Sequence, residues 1–122
     1  MRKIRVYNFE SCEMLIANDY EELSELFMAL NADDSLYSEP MQSTGLIDKN
    51  GKEIFESDIL KCTSIDCCLW YETVSWDSTI AGFATHQNGY DATPIEYITD
   101  SKAITIEIIG NIYENPELLE VE

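Results

Sequence analysis

Residues 41–61 read MQSTGLIDKNGKEIFESDILK, and this stretch decides the fold class. A short apolar run ends at Ile47, and Asp48-Lys49-Asn50-Gly51 follows it. Asn-Gly accepts the positive φ values of a tight hairpin, so the chain turns back here. Ile54, Phe55 and Ile59 then come as core-facing candidates. The same β pattern continues downstream. Ile59–Cys62, Cys68–Val74 and Ala81–Ala84 read as strands, with turns at Thr63–Asp66 and Asp77–Thr79. A polar loop spans His86–Pro94, and Thr105–Ile109 with Ile112–Tyr113 form the last strands. Gly110 between those two pieces suits a bulge or a close backbone approach. Asn115-Pro116 stops the last strand, and Leu118-Leu119 pack back on the body.

Upstream of residue 41 the pattern is mixed. Residues 1–9 place Ile4, Val6 and Asn8 on one face of a strand and Arg5, Tyr7 and Phe9 on the other. A short turn at Glu10–Cys12 leads to a second strand through Met14–Ala17. Asn18–Leu30 is the one clear helix. Asn18 or Asp19 caps it, Glu22 stands in the capping-box position after Asp19, and Leu23, Leu26, Phe27 and Leu30 form one apolar stripe. Residues 31–40 are a polar, acidic connector. The expected fold class is mainly β (α+β): a small curled sheet or partly closed β-barrel plugged by one amphipathic helix.

At 122 residues the chain is expected to be a single domain with its own core. Its 45% apolar content separates it from acidic disordered tails. Against that core stands a formal net charge of −17, from 24 acidic and 7 basic residues. Three of the bases, Arg2, Lys3 and Arg5, stand at the start and are too few for a nucleic-acid arm. Residues 10–39 hold nine acids and no base, and 62–122 hold eleven acids with Lys102 alone. Such stretches repel nucleic acid and anionic membranes, attract basic surfaces, and cost stability by self-repulsion. No apolar run approaches a membrane span, and no export signal is recognised, so the expected location is cytoplasmic and the four cysteines are free thiols.

Two blocks point to a family. Residues 41–61 and the closing EIIGNIYENPELLE at 107–120 resemble the signature of the YopX family of phage and prophage proteins. RKIRVYNFESCEMLI at the start is a weaker match, and Val74–Asp77 with Gly82-Phe83 resembles the family's central strand pair. The resemblance covers most of the chain and implies a phage-encoded, mainly β protein, able to self-associate and generally without an assigned biochemical role. It assigns no chemistry, because none of the matching residues is of a catalytic type. One departure is Ser57, which stands where the family usually has glycine, so that turn is expected to bend differently.

Enzyme signatures are weak. His86 is the single histidine and sits in a polar loop with no nucleophile motif around it. Neither a dinucleotide nor a phosphate-loop glycine motif is present. No cofactor is expected. For zinc, Cys62, Cys67 and Cys68 fall close together, with Cys12 and His86 as further donors. Their C-x₄-C-C spacing departs from ordinary zinc pairs, and Cys67 and Cys68 face opposite sides of a strand. A zinc site would therefore rest on Cys62 and Cys67; incidental core thiols are the plainer reading.

The acidic surface offers the sharper reading. Glu21, Glu22, Glu25, Asp33, Asp34 and Glu39 can present a row of carboxylates that imitates a phosphate row. Combined with the phage resemblance, this leads to a non-catalytic inhibitor of a basic, nucleic-acid-handling host protein. A CRISPR effector nuclease is the natural target, approached by DNA mimicry and without contact to nucleic acid or membrane. The alternative is a structural or regulatory phage protein that assembles as a homo-oligomer through sheet edges. A small zinc protein stands third.

Overall fold

The computed structural model describes residues 2–87 and 91–119. The protein is mainly β, and one of its sheets curls into a half-barrel. The chain forms two compact units divided between Ser43 and Thr44. Among the described residues no helix is long and apolar enough to cross a membrane.

In the first unit β1 (Ile4–Asn8) and β2 (Glu13–Ala17) make an antiparallel hairpin, with Val6 opposite Leu15 and Ile4 opposite Ala17. Its turn is built by Asn8, whose Oδ1 accepts from the backbone N–H groups of Glu10 (2.9 Å) and Ser11 (3.1 Å). The start of β3 (Met41–Ile47) pairs with β1, Arg5 opposite Met41. Helix α1 (Tyr20–Ala32) packs its Leu26 on the hairpin face that carries Val6 and Ala17. Asp19 is its N-cap, the Glu22 N–H donating to Asp19 Oδ1 at 2.8 Å. The apolar stripe is narrower than its spacing predicts. Leu26 is buried, Leu23 and Leu30 pack beside it, and Phe27 stays 41% exposed.

The connector is more than a linker. A 3₁₀ turn covers Asp34–Leu36, and Ser38 then bonds to β1 in both directions: its N–H donates to the Tyr7 carbonyl at 2.9 Å, and its hydroxyl accepts from the Tyr7 N–H at 2.9 Å. Phe9 N–H donates to the Leu36 carbonyl at 2.8 Å. This lacing closes over β1, so Arg5, Val6 and Tyr7 are all buried instead of alternating between core and solvent.

In the second unit β5 (Asp58–Ser64), β6 (Leu69–Asp77), β7 (Gly82–His86), β8 (Thr93–Pro94) and β9 (Ile104–Asn111) form an antiparallel sheet of order β8-β7-β6-β5-β9. The pairing of Trp76 with Phe83 and Asp77 with Gly82 places the central strand pair where the signature puts it. β4 (Glu53–Phe55) lies beside β3. Helix α2 (Glu96–Thr99) follows Pro94. The core of this unit gathers Ile54, Leu60, Cys62, Val74, Phe83, Ile95, Ile98 and Ile106. The helix against this core is therefore the short α2, which the expected single helix does not include; α1 serves the core of the first unit.

Two turns explain the signature blocks. Ser57 has φ +72°, the left-handed region that ordinarily favours glycine. That backbone is locked: Ser57 N–H donates to the Val74 carbonyl (2.8 Å) and Ile112 N–H to the Ser57 carbonyl (3.0 Å). Left-handed backbone costs a residue with a Cβ about 1–2 kcal/mol, against roughly 0.5–1 kcal/mol of extra chain entropy for glycine. Ser57→Gly is expected to stabilise the fold by up to about 1 kcal/mol. A urea midpoint that rises at constant slope shows it, and a fall would mean that the serine side chain earns its place.

At the other block β9 ends at Asn111, because the Asn111 side chain captures the following backbone. Its Oδ1 accepts from Tyr113 N–H (3.0 Å) and Glu114 N–H (2.9 Å), so Ile112 and Tyr113 form a turn and not a last strand. The register slips by one residue between Ile59 and Leu60, which face Gly110 and Ile108, so a bulge does sit beside Gly110. Leu118 is half-buried; the Leu119 side chain and residues 88–90 of the polar loop lie outside the described residues.

Candidate functional site

The acidic residues divide by side-chain length. Aspartate is short enough to accept from nearby backbone, and many aspartates here are spent on turns. Asp33 accepts from the Ser35 N–H (3.2 Å) and hydroxyl (2.6 Å). Asp77 accepts from the Thr79 hydroxyl (2.6 Å) and N–H (2.9 Å), which hold its carboxyl below its ordinary range. Asp66, bonded by the Ser64 hydroxyl, is lowered in the same way. Asp58 is buried and accepts from Phe55 N–H at 2.8 Å.

The most embedded of them is Asp48. Its Oδ1 accepts from Asn50 and Lys52 N–H, each at 2.9 Å, and its Oδ2 from Ile108 N–H at 3.0 Å. Burial alone would raise its pKa; these three bonds and the Lys52 charge outweigh burial and hold it below the ordinary 3.8. The same turn sends Lys49 N–H to the Ile106 carbonyl at 2.9 Å. The signature turn thus covers the outer edge of β9 and is architectural, with no open position for chemistry.

Glutamates carry most of the exposed negative charge of the first unit. Glu21, Glu25 and Glu39 are exposed, as are Asp33 and Asp34, and Glu22 is half-buried. Glu21 and Glu25 are one helical turn apart, where like charges repel. Asp33 and Asp34 follow the C-terminal end of α1, where the helix dipole disfavours anions and no base compensates. Of the six predicted residues the structure brings Glu22 and Glu25 onto one feature, a groove of about 240 Å³ between β2 and α1. Its floor is Leu15, Ala17, Leu26 and Ala29. Glu21, Asp33, Asp34 and Glu39 lie outside that groove. The groove itself has no sequence signal, because a floor shared between two elements has no period of its own.

The cysteines occupy unlike places. Cys62 is fully buried in the core of the second unit, and burial together with the Glu72 charge pushes its thiol up to about 12. Cys67 has φ +68° in the exposed β5–β6 turn, and Cys12 and Cys68 are also exposed. A zinc ion held by Cys62 and Cys67 would have to draw a buried thiol from the core and deprotonate it. Among the described residues no three His, Cys, Asp or Glu side chains gather into a metal-binding group. His86 ends β7, half-buried. Iodoacetamide is expected to modify Cys12, Cys67 and Cys68 in the native protein and Cys62 only after unfolding, since the thiolate is the reacting form. Native labelling of Cys62 in a mass spectrum would contradict this packing.

The model of the family described as YopX protein matches residues 2–120. The chain is similar in structure to protein EF1440 from Enterococcus faecalis, with a TM-score of 0.63 and 25% identity over 98% of each chain. It is also similar to protein yopX from Bacillus subtilis, with a TM-score of 0.58 and 20% identity over 96% of this chain and 97% of that one. No curated protein sequence matches the chain.

Proposed function

The chain belongs to the YopX family, and on that premise we propose that it is a non-catalytic, phage-encoded protein that binds and blocks a basic, nucleic-acid-handling host protein. A CRISPR effector nuclease is the target its phage kinship favours. One observation carries the reading: residues 10–39 hold nine acids and no base. Glu21, Glu25, Asp34 and Glu39 among them are exposed, and among the described residues their carboxylates cap no helix or turn. Acids placed after a helix C-terminus and at like-charge spacing reduce stability, so folding alone does not account for them. Carboxylates docked on Lys and Arg would occupy the sites meant for phosphates, and long-range attraction would speed the encounter.

The test is binding of the purified protein to guide-loaded effector nucleases at low and high salt, with DNA as competitor. Binding that weakens with salt, competes with DNA and falls about tenfold in the E21Q/E25Q/D34N/E39Q variant supports the reading. Absence of binding to every effector at low salt ends it.

A further inference from the structure

The groove between β2 and α1 has a second property that the acidic surface alone does not confer. β2 is the end strand of its sheet, with β1 as its one neighbour. Among the described residues no backbone group of Glu13–Ala17 bonds to anything beyond β1. Consecutive residues Leu15, Ile16 and Ala17 all line the groove. Side chains of consecutive strand residues point to opposite faces, so a cavity touched by three in a row runs along the strand's open edge. An unpaired edge of this kind accepts another strand unless it is blocked. The edge of β9 is blocked by the Asp48 turn and that of β8 is two residues long with a proline; β2 has no such cover among the described residues.

We propose that this edge receives an extended segment of a partner protein by strand addition, and that the segment alternates aliphatic residues with Lys or Arg. The backbone of β2 supplies the ladder, as in other strand-addition sites. The Lys or Arg side chains face α1, their stems over Leu15, Leu26 and Ala29 and their charges on Glu22, Glu25 and Glu13, and the aliphatic residues lie on the opposite face beside Ile16. Charge complementarity decides the occupant. A second copy of this chain would set the same carboxylates against each other, whereas a basic strand neutralises them. The proposal rests on the reading of the protein as a binder of basic partners and names the segment through which it grips them.

The probe is a fluorescein-labelled nine-residue peptide of alternating Val and Lys, measured by anisotropy. Two further peptides accompany it: one with two central prolines and unchanged charge, and one with Glu in place of Lys. Proline cannot donate to the ladder, so its peptide is expected to bind at least about tenfold more weakly, and the Glu peptide not at all. On the protein side E22Q/E25Q is expected to weaken the Val/Lys peptide about fivefold, and A29W, which fills the groove without altering charge, to a similar extent. Circular dichroism verifies that both variants fold. Equal binding of the proline peptide, or indifference to A29W, would reduce the effect to general charge attraction and overturn the proposal. A dimer in light scattering that A29W dissolves would overturn it in favour of a second copy. If an effector nuclease binds but the Val/Lys peptide does not compete, the groove assignment is wrong while the function stands. If the peptide adds to β2 yet no nucleic-acid-handling protein competes, the groove stands and the function falls.

Discussion

Replacing Gly110 by alanine is expected to destabilise the protein by about 3 kcal/mol, the sum of an overpacking cost and a damaged hydrogen bond. A Cβ built on Gly110 would lie 2.7 Å from Asn115 Cγ and 2.9 Å from Asn115 Cβ, closer than real Cβ atoms come. The near Asn115 Cβ matters most, because a rotamer change cannot move it aside as it could a side-chain tip. Asn115 is also tied in place: its Oδ1 accepts from Asn111 N–H at 3.3 Å, and its own N–H donates to the Asn111 carbonyl at 2.9 Å. Pushing it away opens the turn that ends β9, and with it the strand-to-3₁₀ passage into Pro116–Leu119. Urea denaturation of Gly110→Ala beside Gly82→Ala separates this from a general glycine effect, since a Cβ at Gly82 meets only the Ile80 carbonyl at 3.7 Å. Equal losses at the two positions would refute the close-approach account.

The same glycine shows what can be read from the chain alone. A lone glycine between apolar strand pieces signals a bulge or a close contact, and here both are present. Asp19 with Glu22 and the Asn50-Gly51 turn were equally legible, because capping and turn chemistry act within four residues. Longer reach defeats such reading. Nothing local announces that Asp48 bonds to Ile108, sixty positions away, or that Ser38 stitches the connector to β1. Helix α2 is hidden for a different reason: four residues make barely one turn, and it has no side-chain cap to mark its start. Ile112 and Tyr113 carry β-favouring side chains, but the Asn111 side chain bends the backbone under them. For the candidate site, the acidic residues were plain and their division of labour was not. Which carboxylate caps a turn and which stands free depends on the partner backbone, and the groove floor is made by two elements whose packing no single segment encodes.

Asp48→Asn is expected to cost about 3 kcal/mol near neutral pH, from one buried N–H that loses its acceptor and from weakening of two charge-assisted bonds. The amide keeps one oxygen, which can serve the Asn50 and Lys52 N–H groups; its nitrogen then faces the Ile108 N–H, donor against donor. The pH dependence makes this more than a packing test. Asp48 has a folded-state pKa below its ordinary 3.8, so its contribution is present above that value and is lost as pH falls through the folded pKa. The wild-type protein should therefore lose stability in acid faster than the variant, and the gap between them should close below about pH 4. Urea midpoints measured from pH 7 down to about 3 report this directly. A gap that stays constant across the range would mean that the carboxylate charge contributes nothing and that only shape matters. A second signature follows from position. Release of the turn uncovers the Ile106 carbonyl and Ile108 N–H on the outer edge of β9, so Asp48→Asn should aggregate in mild denaturant where the wild type stays dispersed in light scattering. Self-assembly through β9 would then be a property of the damaged protein. In the intact one the Asp48 turn covers that edge, whereas β2, the edge proposed to receive a partner, has no such cover among the described residues.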